Sequence, residues 1–199
     1  MLESQTFIFF GLSGAGKGTQ TKLLADYLHK IDRSNDVLYL STGALFRSFM
    51  GSGTYTGNKV KEILDEGGLI PEFLPIWLWT GYLNDSIKTN KEHIILDGVA
   101  RRVAEAPVLN SALRFYNREE QAHVIFISIS RERAVERLLA RGRYDDNRED
   151  INARLDWFDG NVLPAIDYFK KESGARYHEI NGEGSVEDVH QSILKAVRI

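Results

Sequence analysis

The segment GLSGAGKGT, from Gly11 to Thr19, has the residue types and the spacing that bind phosphate groups. Its glycines let backbone N–H groups converge on phosphate oxygens, and Lys17 adds a mobile positive charge. An apolar run precedes the segment and a helical pattern begins at Lys17, so the motif has the strand–loop–helix context that it requires. The sequence therefore predicts a site for nucleotide phosphates, the alternative being a glycine-rich turn that binds nothing.

The residue after Lys17 narrows the class of chemistry. In many P-loop hydrolases a Ser or Thr follows the lysine directly and binds Mg²⁺. Here Gly18 follows, and the hydroxyl comes one residue later, on Thr19. The sequence also lacks a convincing Asn-Lys-x-Asp motif for reading guanine. Both observations argue against a GTP-hydrolysing switch.

Most of the arginines lie within residues 101–154, which predicts a focused site for an anionic ligand in a mildly acidic protein. Arg133, Arg137 and Arg141 are spaced four residues apart, so they share one face of a predicted helix. Such a row of like charges is unfavourable unless an anion or acidic side chains neutralise it. For Arg133 we expect an ordinary surface pairing with neighbouring glutamates.

The composition excludes several other kinds of protein. The 199 residues suit one domain, and their net charge of −3 argues against general nucleic-acid binding. The absence of cysteine excludes disulfides and thiolate zinc sites, and the five histidines lack metal-ligand spacing, so no zinc is expected. No window approaches the roughly 20 apolar residues of a membrane span. We therefore expect a cytoplasmic protein that binds neither membrane nor nucleic acid.

Short apolar runs alternate with helical patterns, which predicts a parallel sheet covered by helices on both faces. The predicted strands are residues 6–10, 37–40, 93–96, 122–129 and 176–180. The predicted helices begin at Lys17 and cover 44–50, 72–86, 102–116, 131–141 and 146–171, with a helical excursion at 51–68. Pro164 is expected to kink or break the long helix. Ser185 and Asp188 predict a capping box that opens a terminal helix.

Some apolar and polar side chains have expected packing roles. In the 72–86 helix, Phe73, Trp77 and Leu78 are predicted to share an apolar face. Trp79 and Tyr82 are interpreted as packing residues. Gln20, just after the phosphate loop, is expected to support local hydrogen bonding rather than chemistry.

Further motifs follow the phosphate loop in order: Gly16-Lys17-Gly18-Thr19-Gln20, Ser41-Thr42-Gly43, Asp97-Gly98-x-x-Arg101, Asp145-Asp146 and Asn181-Gly182-Glu183-Gly184-Ser185-Val186. In this order, and over essentially the whole chain, the sequence resembles adenylate kinase and its nucleoside monophosphate kinase relatives. The resemblance implies an α/β fold of the P-loop nucleoside triphosphate hydrolase type, with three α/β/α layers and a five-stranded parallel sheet. It also implies Mg²⁺-dependent phosphoryl transfer from ATP to AMP, giving two ADP.

The resemblance implies which residues form the site. The donor ATP would contact Gly14, Ala15, Gly16, Lys17, Gly18, Thr19, Arg137, Gly184 and Ser185. The acceptor AMP would contact Thr42, Gly43, Arg47, Ile70, Gly98, Arg101, Glu105, Arg143 and Arg154. The catalytic charges around the transferring group would be Lys17, Arg101, Arg137, Arg141, Arg143 and Arg154. Asp97 would hold hydrated Mg²⁺ through water, because Mg²⁺ gives up its waters reluctantly.

The lid is the largest departure from the family pattern. The resemblance implies one kinase domain over residues 1–199, a helical subdomain for the monophosphate at 41–71, and a lid. Here Arg141 and Arg143 are separated by Gly142 alone, so 141–146 is expected to be a vestigial lid loop, with Asp145 and Asp146 as the acidic pair that helps closure. We expect that lid opening is not the slow step of turnover and that other surfaces exclude water.

The residue expected to read the acceptor base is the second departure. Glu105 stands where the adenylate branch usually has a glutamine, which can both donate to and accept from adenine. An ionised carboxylate only accepts and suits guanine better, whereas a raised pKa would let Glu105 donate. AMP is the predicted acceptor, and GMP or UMP/CMP stay open.

Smaller departures are Ser13 in place of a proline, Ala44 in place of an aspartate, and Val99-Ala100 in place of Phe-Pro. The reduced lid and the carboxylate missing at Ala44 leave a nucleotide-binding module without phosphotransfer as an alternative. A monomer is expected, and an oligomer whose interface covers the site stays open.

Overall fold

The computed structural model describes residues 3–65, 68–142 and 147–199. A five-stranded parallel sheet has the order β2-β3-β1-β4-β5. Its strands are β1 (Thr6–Gly11), β2 (Val37–Ser41), β3 (His93–Asp97), β4 (Ala122–Ser128) and β5 (Arg176–Asn181). The predicted strands and the five-stranded parallel sheet are confirmed.

Helices cover both faces of the sheet. Along the chain they are α1 (Lys17–Ile31), α2 (Thr42–Met50), α3 (Tyr55–Asp65), α4 (Phe73–Ser86), α5 (Glu105–Phe115), α6 (Arg131–Arg141), α7 (Arg148–Trp157), α8 (Leu163–Glu172) and α9 (Val186–Val197). The predicted capping box is present at Ser185 and Asp188. Within the described parts of the chain, no helix combines the length and the apolar character needed to cross a membrane.

The central strand β1 divides the core into two clusters. Phe7 and Phe9 pack with α1 and α9 on one face, and Ile8 and Phe10 pack with α4, α5 and α8 on the other. These side chains alternate along the strand because successive residues of a strand point to opposite faces. The strand that leads into the phosphate loop is thus buried on both sides, as its continuous apolar run predicts.

The apolar face predicted for α4 is wrong. Phe73 and Trp77 are 64% and 55% exposed, whereas Leu74, Trp79 and Leu83 form the buried face. The packing role of Trp79 is confirmed by its complete burial. Pro75 lies in the first turn of α4, where its missing N–H has no helical partner to lose.

The long helix predicted for 146–171 is two helices joined by a π-helical turn at Phe158–Val162. Pro164 follows at the start of α8. A proline inside a helix removes an N–H and crowds the carbonyl four residues before it, and the wider π turn relieves both problems. The side-chain amide of Asn161 donates to the Trp157 carbonyl at 3.0 Å. The break predicted at Pro164 is confirmed, in the form of this turn.

Candidate functional site

The site lies at the carboxyl ends of the neighbouring strands β1 and β3, where open α/β sheets bind ligands. A cleft with a cavity volume of about 110 Å³ opens there. Three segments meet in it, namely the phosphate loop after β1, the loop after β3, and α7 with the π turn. Its lining includes Ser13, Lys17, Gly98, Arg101, Arg154 and Trp157.

The phosphate loop wraps the N-terminus of α1. Gly14 and Gly16 have φ values of 86° and 90°, which favour glycine, and a Cβ on Gly14 would lie 2.9 Å from the Ala134 carbonyl oxygen. No side chain caps α1 at Gly16, so the first backbone N–H groups of the helix are available to an anion. The predicted donor residues Gly14 to Thr19 therefore form one loop and helix start.

The Lys17 ammonium donates to the carbonyl oxygens of Gly11 and Leu12, at 2.7 and 2.9 Å. Burial, with a further contribution from Arg101, lowers the pKa of Lys17 to about 8, although the Asp97 carboxylate acts in the opposite direction. The loop thus holds the Lys17 ammonium in place, close to the Arg101 guanidinium and the Asp97 carboxylate.

The loop after β3 holds Arg101 over Gly98. Gly98 has a φ of 73°, and a Cβ at this position would overlap the Arg101 guanidinium. The backbone N–H of Arg101 donates to a carboxylate oxygen of Glu105 at 3.2 Å. Ala100 is buried with a φ of 54°, a conformation that costs a non-glycine residue energy. Several restraints therefore fix the loop that carries Arg101.

Glu105 is buried at the start of α5, with 4% of its surface exposed. Burial raises the pKa of Glu105, and this outweighs the opposing effect of the Arg101 N–H and guanidinium. A raised pKa favours the protonated carboxyl, which has both a donor and an acceptor, as the amide of glutamine has.

The remaining residues predicted for the acceptor lie on and near α2. Thr42 is buried, and its hydroxyl has no hydrogen-bond partner in the part of the chain that the structure describes. Arg47 is exposed one turn further along, and a Cβ on Gly43 would lie 3.3 Å from its guanidinium. Ile70 is half-buried. Neither Arg47 nor Ile70 lines the cleft.

The arginines predicted around the transferring group lie in different places. Arg154 lines the cleft with Arg101 and Lys17. Arg141, at the end of α6, is close enough to help lower the pKa of Lys17. Arg137 donates to the Gly182 carbonyl at 3.0 Å. The structure thus brings Lys17, Arg101 and Arg154 together and directs Arg137 to the segment after β5.

Two other expectations concern Arg133 and the lid loop. Arg133 pairs with Glu136 at 2.6 Å, as expected of a surface residue. Arg143, Asp145 and Asp146 lie outside the described residues, together with most of the expected lid loop.

Asp97 ends β3 beside Lys17. The Tyr39 hydroxyl donates to its Oδ2 atom at 3.2 Å. In the described ranges no group of three or more candidate metal-ligating side chains is present. One carboxylate fits a Mg²⁺ ion that keeps most of its waters and takes its other ligands from phosphates, so Asp97 suits the water-mediated role.

The segment from Gly182 to Val186 is held by side chains of two distant helices. Arg137 of α6 binds the first carbonyl of the segment. Gln20 of α1 donates from its amide to the Val186 carbonyl at 2.9 Å. Gln20 does form a hydrogen bond, but the prediction that this bond is local is wrong, because its partner is 166 residues away.

The chain is similar in sequence to known proteins of one family. The sequence profile of the family described as Adenylate kinase matches residues 9–174. The chain belongs to the adenylate kinase family. A protein named adenylate kinase from Corynebacterium urealyticum is 35% identical over 190 residues, covering 96% of this chain and 97% of its own length. Relatives of the same name from Prochlorococcus marinus and Leptospira biflexa are 33% and 34% identical, covering 94% and 96% of this chain and 94% and 98% of their own lengths.

As a member of the adenylate kinase family, the chain is a nucleoside monophosphate kinase and a phosphotransferase. Its site also contains side chains that sequence reasoning did not assign. Trp157 and Phe158 line the cleft because the π turn follows α7, and Tyr39 reaches Asp97 from the next strand. The only signal for Tyr39 is its position two residues before Ser41, which places it near the same sheet edge as Asp97.

Proposed function

We propose that the chain catalyses the reversible transfer of the terminal phosphoryl group of ATP to AMP, giving two ADP. The observation that carries the proposal is that Lys17 of the phosphate loop, Arg101 of the loop after β3 and Arg154 of α7 line one cleft. These three positive charges suit a site in which the triphosphate of ATP and the phosphate of AMP meet end to end, because both groups are negatively charged. The relatives named adenylate kinase support the choice of ATP and AMP.

In the proposed reaction an oxygen of the AMP phosphate attacks the γ-phosphorus of ATP, and the bond to the β,γ-bridging oxygen breaks. ADP leaves on one side and the new ADP forms on the other. The protein forms no covalent bond in this step and acts by alignment and by stabilising negative charge. We assign the stabilisation to Lys17, Arg101 and Arg154, with Arg137, Arg141 and Arg143 completing the set.

We propose that Asp97 holds hydrated Mg²⁺ at the end of β3. When bound, the ion neutralises charge on the phosphate oxygens. The single carboxylate beside the phosphate loop supports this role, because phosphate oxygens of the nucleotide and water molecules would supply the other ligands of the ion.

We assign the donor base to the segment that Arg137 and Gln20 hold, with Gly184 and Ser185 exposed at its surface. For the acceptor we propose the helical region 41–71, with Thr42, Gly43, Arg47 and Ile70 contacting AMP. The buried Thr42 hydroxyl, which lacks a partner among the described residues, supports a ligand contact there.

We propose that Glu105 reads the acceptor base in its protonated form. Burial raises the pKa of Glu105, and one of its oxygens already accepts from the Arg101 N–H, so a protonated second oxygen could donate to adenine. We further propose that the chain acts as a monomer, since one chain supplies the residues of both loops that line the cleft. We propose the cytoplasm as its location.

The test is a coupled assay of ADP formation by the purified chain with ATP and, in turn, AMP, GMP, UMP and CMP. The proposal expects turnover with AMP and little with the other monophosphates. Nucleotide binding without turnover on any monophosphate would contradict the enzyme, and turnover chiefly with GMP would contradict the assignment of Glu105.

A further inference from the structure

Tyr39 connects two strands at the edge of the site. It lies on β2 opposite Ile95 of β3, so its side chain shares a sheet face with Asp97, two residues further along β3. Its hydroxyl lies 3.2 Å from Oδ2 of Asp97. An ionised carboxylate only accepts hydrogen bonds, so the phenol must donate its single hydrogen to Asp97.

Other side chains fix Tyr39 in this orientation. Because its own hydrogen is committed to Asp97, the phenol oxygen accepts from the Thr21 hydroxyl, which lies 3.3 Å away. Thr21 is fully buried in the first turns of α1, and its single hydroxyl hydrogen is shared between the phenol oxygen and the Gly18 carbonyl oxygen, which lies 3.2 Å away. On the backbone side, the Tyr82 hydroxyl donates to the Tyr39 carbonyl at 3.1 Å. A row of hydroxyl groups thus runs from the helix of the phosphate loop to the carboxylate at the end of β3.

The geometry points to Tyr39 as a positioning residue that fixes the Asp97 carboxylate for the hydrated Mg²⁺ of the nucleotide. This inference rests on the proposed function. A carboxylate that contacts a metal through water must present its oxygens in one direction, and a hydrogen bond to Oδ2 prevents rotation of the carboxyl group. Hydrogen-bond partners behind a metal-binding side chain commonly tune affinity by about 10- to 100-fold. Tyr39 itself touches neither the nucleotide nor the ion.

The experiment compares binding of a non-hydrolysable ATP analogue with and without Mg²⁺, by titration calorimetry, in the wild type and in Tyr39→Phe. The substitution keeps the ring and removes only the hydroxyl. We expect metal-free binding to stay unchanged, while the gain in affinity that Mg²⁺ provides falls by about 10-fold. The Mg²⁺ concentration for half-maximal turnover should rise by a similar factor, and the KM for AMP should not change.

Two further variants separate this role from simple support of the fold. Tyr82→Phe removes the hydroxyl that bonds to the Tyr39 backbone and should leave the effect of Mg²⁺ at the wild-type level. Thr21→Val removes the donor behind the phenol and should reduce the effect of Mg²⁺ less than Tyr39→Phe does. If Tyr39→Phe unfolds, Thr21→Val supplies the test.

Equal loss of affinity with and without Mg²⁺, or no loss, would overturn the inference. Failure of the proposed function looks different, since the wild type would then bind Mg²⁺-nucleotide without transferring phosphate to any monophosphate.

Discussion

Individual side chains set the charge balance of the cleft, and the charge of Lys17 changes within an accessible pH range. Its pKa is lowered to about 8, chiefly because it is buried and also because Arg101 is near. Below this pH the ammonium is charged and can bind phosphate. As the pH rises through the pKa, the free protein loses that charge.

We therefore expect kcat/KM for ATP to fall as the pH rises above about 8, while kcat stays flatter because bound phosphates raise the pKa of Lys17 again. Initial rates from pH 6.5 to 10 give both profiles. In Lys17→Arg the guanidinium stays charged, so any remaining activity should lose this decline. A flat kcat/KM profile up to pH 9.5 would show that Lys17 is not poised in this way.

Arg101 is the second residue with a sharp expected effect. Its guanidinium is exposed in the cleft and lies over Gly98, so Arg101→Ala should leave the fold intact. We expect turnover to fall by about 100-fold or more, because the contact strengthens as charge develops on the transferring group. Arg133→Ala is the matched control, since this surface arginine pairs with Glu136 and should keep near-wild-type rates. Near-normal turnover of Arg101→Ala would contradict the assigned acceptor site.

At the scale of elements, the π turn between α7 and α8 has a defined cause and a defined support. Pro164 favours it, and the Asn161 side-chain amide donates a further hydrogen bond to the Trp157 carbonyl. Phe158 and Val162 of this turn line the cleft beside Arg154. The turn thus sets how the end of α7 faces the cleft.

We expect Asn161→Ala to lower the free energy of unfolding by about 1 kcal/mol, because it removes the side-chain hydrogen bond to the Trp157 carbonyl. Urea unfolding followed by circular dichroism measures this difference. Asp159→Ala, at an exposed position in the same turn, is the control and should change stability little. Equal stability of the two variants would mean that the Asn161 amide does not support the turn.

Features that depend on residues close together in the sequence could be predicted, whereas those that depend on contacts between distant residues could not. The apolar run from Thr6, the glycine loop and the Ser185 capping box each carry their cause within a few residues. The break at Pro164 was also predictable, but its form as a π turn was not. Tyr39 and Gln20 bond to residues 58 and 166 positions away, and no spacing along the chain encodes such contacts. The exposure of Phe73 and Trp77 likewise depends on which face of α4 the sheet covers.

On the scale of the whole molecule, a histidine pair lies at the sheet edge opposite the cleft. His123 at the start of β4 is buried, stacks on Phe7 and hydrogen-bonds to His178 at 2.9 Å and to Gln5 at 3.0 Å. Burial, with the nearby His178 and Arg176, lowers the pKa of His123 to about 4. The folded protein therefore keeps this ring neutral at pH values where an unfolded chain protonates it.

The unfolded state binds a proton on His123 more readily than the folded state does. The free energy of unfolding should therefore rise as the pH increases from about 4 to 6.5, and His123 should cause no further increase above pH 6.5. The lowered pKa of His123 corresponds to a change of about 3 kcal/mol in the free energy of unfolding across this pH range. Urea unfolding at several pH values should show a weaker pH dependence in His123→Phe than in the wild type. His29→Ala, at an exposed position, should keep the wild-type dependence. Parallel curves for the wild type and His123→Phe would contradict this source of acid sensitivity.

The burial of β1 on both faces has a consequence for local opening. The amides of Phe7 to Phe10 pair with β3 and β4 beneath two core clusters, so their hydrogens should exchange with solvent only when the whole domain unfolds. The α2–α3 region has few buried side chains and should exchange through smaller fluctuations. We therefore expect the phosphate loop to be anchored to the slowest-exchanging part of the protein, and the proposed acceptor region to one of the fastest.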